Sequence, residues 1–183
     1  MDNVKLCVHF FLSPKREEAL PRKEKDILSS LNVPWITKDG YLDLTKLPID
    51  STLRQSLSNE EGDFRSACNM LASMYSAGRT EAAVFLYGLY ILHRNDRTRK
   101  ELIIEALGHV KTAETADLLF RELNQTESSN STRAYIDTIL KNLRYFPLHL
   151  VEDGFDGLLN DSRWSYRMKQ KFREILDRIR YRY

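Results

Sequence analysis

The chain has 183 residues, 42% of them apolar and 30% charged, a balance typical of a soluble globular protein. Its 28 Lys and Arg stand against 26 Asp and Glu, a formal net charge of only +2. Bulk charge therefore does not argue for nucleic acid, and any electrostatic function has to be local. No stretch reaches the roughly 18 apolar residues of a membrane span. Two cysteines, Cys7 and Cys68, are too few for a disulfide framework and read as buried thiols of a reducing, cytoplasmic setting.

Residues 1–57 read differently from the rest. The opening Met1-Asp2-Asn3, with Lys5 inside the apolar run Val4 to Leu12, does not fit a secretory signal. Val4, Leu6, Val8, Phe10 and Leu12 alternate with Lys5, Cys7, His9 and Phe11. That is a strand period, although a helix stays open for so short a run. Pro21 separates two short helical pieces, about 14–20 and 22–31. Lys38-Asp39-Gly40 is a turn signal between Trp35-Ile36 and Tyr41-Leu42, which predicts a small hairpin bracketed by Pro34 and Pro48. The region is expected to be an irregular N-terminal cap that closes one end of the core.

From about residue 62 the pattern is helical throughout. Phe64, Cys68, Leu71 and Tyr75 form one stripe, ended by Gly78, a C-terminal stop. Ala82, Leu86, Leu89 and Tyr90 form the next. Leu102, Ile103, Ala106, Leu107 and Val110 follow, then Ala116, Leu119, Phe120 and Leu123. The polar, serine-rich stretch Gln125 to Thr132 is an exposed loop. Tyr135, Ile136, Ile139, Leu140 and Leu143 come next, with Pro147 as a stop. Val151, Phe155, Leu158 and Leu159 make a further helix, which Gly154 and Gly157 are expected to interrupt. Trp164, Met168, Phe172, Ile175, Leu176 and Ile179 make the last. Trp164 shares a face with Met168 and Phe172, which points it inward.

These seven helices repeat at a fixed interval. Leu102, Ala106 and Val110 recur 33 residues later as Tyr135, Ile139 and Leu143, and again as Met168, Phe172 and Leu176. Helical patterns with a period in the thirties read as helix pairs that stack to bury faces too wide to bury alone. Short links make neighbouring helices antiparallel.

Residues 95–123 carry Arg99, then Ala106-Leu107-Gly108, Val110, Ala116, Leu119 and Leu123. This stretch resembles a HEAT-type repeat, in particular the PBS-lyase HEAT-like variant. Gly108 is the position where two helices come close. Later repeats keep the apolar positions but replace the Ala-Leu-Gly, with Leu140-Lys141-Asn142 after Ile139. The resemblance is good over one repeat and loose over the rest. It implies an all-α, right-handed superhelix of armadillo type, about three helix pairs plus a terminal helix over residues 58–183. It does not imply one activity.

Charge is segregated by helix. Residues 112–127 hold Glu114, Asp117, Glu122 and Glu127 against Arg121, and residues 147–161 hold Glu152, Asp153, Asp156 and Asp161 with no Lys or Arg. The first helices of the pairs lean the other way, with net charges of +2 over 94–111, +2 over 129–146 and +6 over 162–183. The last carries Arg163, Arg167, Lys169, Lys171 and Arg173, with Arg178, Arg180 and Arg182 beyond. The resemblance implies that the acidic second helices line the concave face. Such a groove attracts a basic protein or peptide and repels a phosphate backbone. A solvated surface on which neighbouring helices neutralise each other accounts for the same pattern.

Chemistry-bearing motifs are sparse. His9, His93, His109 and His149 form no metal-ligand spacing, and the His-Glu dipeptides of HEAT-type metal hydroxylases are missing. Glu105 and His109, one turn apart, read as a surface pair. The seven glycines form no phosphate loop. HEAT-like DNA glycosylases offer an enzyme analogy, with Asp161 near Trp164 as its carboxylate and aromatic, but they use a basic groove. The leading expectation is a non-enzymatic, cofactor-free interaction module. Glu114, Asp117, Glu152, Asp153 and Asp156 would contact a basic partner, in its most specific form as an immunity or antitoxin-like neutraliser. The alternatives are a nucleic-acid binder using Arg163, Arg167, Lys169, Lys171 and Arg173, or a glycosylase-type enzyme. Self-association through repeat ends also stays open.

Overall fold

The structure is a computed structural model that describes residues 34–37 and 41–182. The strand alternation at 4–12, the two short helical pieces and Cys7 lie outside the described residues. What is described is helical. In chain order, α1 spans Ile49–Ser56, α2 Glu61–Ser76, α3 Glu81–Leu92, α4 Arg97–Leu107, α5 Ala113–Gln125, α6 Arg133–Leu143, α7 Leu148–Asn160 and α8 Tyr166–Arg180. Helices α2 to α8 answer to the seven apolar stripes. No described helix is long and apolar enough to cross a membrane.

The chain divides into two compact units, residues 1–82 and 83–183. In the first, Ile36 and Leu42 form an isolated antiparallel bridge, fastened by Thr37 N–H to Tyr41 O at 2.8 Å and Asp43 N–H to Trp35 O at 2.7 Å. Helix α1 packs on α2. It has no apolar stripe to announce it, because its inward positions are Thr52 and Ser56, both buried. Helix α2 buries Phe64, Ala67, Cys68, Leu71, Ala72 and Met74, the i, i+3, i+4 pattern of an amphipathic helix.

Its end is set by Gly78, whose φ of +96° suits a residue without Cβ. Arg79 N–H bonds Met74 O at 3.0 Å and Gly78 N–H bonds Tyr75 O at 2.9 Å. These are the paired bonds of a Schellman stop, which satisfy carbonyls the helix leaves over.

In the second unit one apolar core runs from Ile104 through Leu119, Ile139 and Phe155 to Ile179. Helices α4, α5 and α8 start on side-chain caps. Asp96 accepts from Arg99 N–H at 3.0 Å, Thr112 from Thr115 N–H at 3.3 Å and Ser165 from Met168 N–H at 3.3 Å, each contributing about 1 kcal/mol. Helix α4 packs on α6 and α5 on α7, skipping one element each time; α5 also meets α6, and α7 meets α8. The repeated positions of α4, α6 and α8 all turn inward: Leu102, Ala106, Val110, Tyr135, Ile139, Leu143, Phe172 and Leu176 are buried, and Met168 packs against the core.

Two glycines make the close contacts. A Cβ at Gly108 would lie 2.1 Å from Asn142 Oδ1 and 3.1 Å from its Cβ, so α4 ends directly against α6. A Cβ at Gly154 would lie 2.3 Å from Phe120 Cε2 and 2.5 Å from Cδ2 and Cζ. The Phe120 ring therefore rests on the α7 backbone, in a T-shaped pair with Phe155 at a centroid distance of 5.3 Å. This corrects the expectation that Gly154 and Gly157 interrupt the helix. Helix α7 runs unbroken through both, and at 154 the missing side chain is what admits the neighbour.

Candidate functional site

The expected contact acids do not act as one set. Asp117 on α5 and Asp153 on α7 line a common groove of about 640 Å³. Phe120, Leu150 and Gly154 give its lining an apolar part, and Arg121 and His149 line it too. Neither Asp117 nor Asp153 makes an ion pair among the described residues. Both are exposed.

The other three acids stand apart from this groove. Glu114 lies in the first turn of α5. Its own backbone N–H and the Thr112 hydroxyl hold its carboxyl below the ordinary range, so it serves the helix start. Glu152 is half-buried and paired with Arg180 at 2.7 Å. Asp156 is exposed on α7 and adds to the field around Arg180.

The acidic count of the second helices needs a correction. Glu122 is not a surface acid. Its side chain is only 6% exposed, and it takes hydrogen bonds from Tyr90, Lys100 and Tyr135, the last at 2.7 Å. Burial pushes its carboxyl up, but the bonds from Lys100, Tyr90 and Tyr135 outweigh burial and hold it below the usual range. The same burial and the same carboxylate push the hydroxyls of Tyr90 and Tyr135 well above the usual tyrosine value. The Lys100 ammonium sits 5.3 Å from the Tyr90 ring centroid and 5.8 Å from that of Tyr135. One buried anion thus gathers α3, α4, α5 and α6, its charge matched by Lys100.

The basic candidates also separate. Arg163 is tied to Asp161 at 2.5 Å and donates to Asn124 O at 2.7 Å, which anchors the α7–α8 connection to the end of α5. Lys171 pairs with Asp137 at 2.5 Å. Arg167 and Lys171 line a second groove of about 770 Å³ between α6 and α8, while Lys169 is half-buried and Arg173 exposed outside it. Two of the five are therefore spent on internal pairs, which weakens the reading of this helix as a continuous phosphate-binding stripe.

The enzyme analogy finds little support. Trp164 is buried and sits edge-on to Phe172, with centroids 5.2 Å apart. Asp161, held below the ordinary range by Arg163, stands at the surface, so the two do not frame an open pocket. Among the described residues no group of three or more His, Cys, Asp or Glu could hold a metal ion.

Sequence reasoning treated Tyr90 and Tyr135 as plain core and Glu122 as surface. A usable signal was present: Thr115, Leu119 and Glu122 share one helical face, so the acid falls on an inward stripe. No family model, no curated protein and no solved structure matches the chain.

Proposed function

We propose that the protein is a non-enzymatic interaction module that captures a basic protein or peptide in the groove between α5 and α7. The observation that carries this is the convergence of Asp117 and Asp153, two carboxylates without ion-pair partners among the described residues, from α5 and α7 onto one groove that Phe120 and Leu150 also line. A partner's Lys or Arg would lay its aliphatic stem on Leu150 and Phe120 and bring its charge to the carboxylates. Arg121 in the same lining favours a partner that is basic but not uniformly so.

The architecture belongs to the proposal. Helices α4 to α8 are read as turns of a HEAT-like right-handed superhelix, with α5 and α7 on its inner curve. The packing of α4 on α6 and of α5 on α7 supports that reading, as do the buried 33-residue repeats. An immunity or antitoxin-like role would be one use of such a groove.

The test is a titration with a fluorescein-labelled helical peptide rich in Lys and Arg, beside a Glu-rich peptide of equal length. The basic peptide should bind, with affinity that falls as salt rises. The double variant Asp117→Lys, Asp153→Lys should abolish binding, while Glu152→Gln, outside the groove, leaves it intact. Equal binding of both peptides, or binding untouched by the double reversal, would refute the reading.

A further inference from the structure

We propose that the groove between α6 and α8 is a second site, which binds the phosphoryl group of a small phosphomonoester. It lies on different helices from the α5–α7 groove and does not depend on it. Its volume of about 770 Å³ falls within the range of small-ligand sites.

Its lining offers donors from three parts of the chain. Arg133 comes from α6, Arg167 from α8, and Ser128 and Asn130 from the connection before α6. Ser165 also faces it. Its oxygen accepts from Met168 N–H, and its own proton remains available to donate.

The two arginines are the unusual part. Neither makes an ion pair among the described residues, although two carboxylates line the same groove. Asp137 is already neutralised by Lys171 at 2.5 Å, and Glu174 accepts from Gln170 at 3.4 Å. Arg133 and Arg167 also stand in the first turns of their helices, and neither helix has an acid there. A cation in that position opposes the helix field and costs stability. Two such costs directed into one groove, with no ion-pair partner gained among the described residues, are accounted for by an external anion.

A phosphomonoester suits the arrangement better than a strand of nucleic acid. Its two charges match two guanidiniums, which bind phosphate oxygens in a forked geometry. A polyanion passing through would meet the Glu174 carboxylate along the groove.

The full chain is titrated calorimetrically with phenyl phosphate, with the methyl ester of phenyl phosphate as a singly charged control and a short single-stranded DNA as a third arm. Phenyl phosphate should bind more tightly than the ester or the DNA. Arg133→Gln and Arg167→Gln should each weaken it about tenfold, the loss of one charged hydrogen bond. Without ligand, each variant should melt at the same temperature as the parent or higher, because a cation has left a helix start. Four results would overturn the proposal: no heat at millimolar phenyl phosphate; binding that survives both substitutions; tighter, steeply salt-dependent binding of the DNA; or a fall in the ligand-free melting temperature of both variants, which would give the arginines a structural role.

Discussion

Gly154 and Gly157 lie one turn apart on α7, and replacing each with alanine should move stability in different directions. In a helix interior, Gly to Ala gains up to about 1 kcal/mol from backbone entropy. At Gly157 nothing lies within 4 Å of the added methyl, so that gain is kept. At Gly154 the methyl would stand 2.3–2.5 Å from three carbons of the Phe120 ring. Phe120 is held in a T-shaped pair with Phe155 and has little room to retreat, so the contact should cost about 1–3 kcal/mol, as for other overpacked sites. The propensity gain is common to both variants, so their difference isolates the contact. In a domain of about 100 residues each kcal/mol moves the melting temperature by roughly 4–8 °C. Gly157→Ala should therefore melt above the parent, and Gly154→Ala at least about 4 °C below Gly157→Ala. Thermal unfolding followed by circular dichroism reads both. Equal stabilisation by the two would show that Phe120 does not rest on α7.

Three further outcomes are expected. Glu122→Gln keeps the shape but leaves Lys100 without its counter-charge, and should cost about 3 kcal/mol at neutral pH in urea unfolding. The Glu122 carboxyl titrates below its ordinary value when folded, so its contribution is complete above the unfolded carboxyl range of about 4.3 and is lost as pH falls through the lower folded value. The gap between parent and Glu122→Gln should accordingly be flat from about pH 8 to about pH 5 and shrink in acid; a gap that widened in acid would contradict the network. Gly78→Ala forces a methyl-bearing residue to a φ of +96° and should cost about 1–2 kcal/mol, read from the urea midpoint, with Gly78→Asn recovering part of the loss.

The helical class was legible because seven long stripes kept a helical period, and α2 to α8 follow them. Helix α1 was not legible, since Thr52 and Ser56 fill its inner face and leave no hydrophobic signal. Gly154 misled for a related reason: a glycine inside a helix suggests a break from local propensity, whereas the Phe120 ring that occupies its place belongs to another helix. At the site, residue type was enough to nominate Asp117 and Asp153. It could not separate them from Glu152, because Arg180, the partner that removes Glu152, lies 28 positions away. Glu122 shows the same limit. Its neighbours in sequence are Arg121 and Leu123, but its chemistry is set by Tyr90, Lys100 and Tyr135.

The most direct test of the central claim is to map where a basic peptide lands. An isotope-labelled chain, titrated with the unlabelled Lys- and Arg-rich helix, should show its largest amide shifts within residues 113–125 and 148–154, with Asp117 and Asp153 among them. Shifts gathered instead around Arg133 and Arg167, or spread without a centre, would contradict the account.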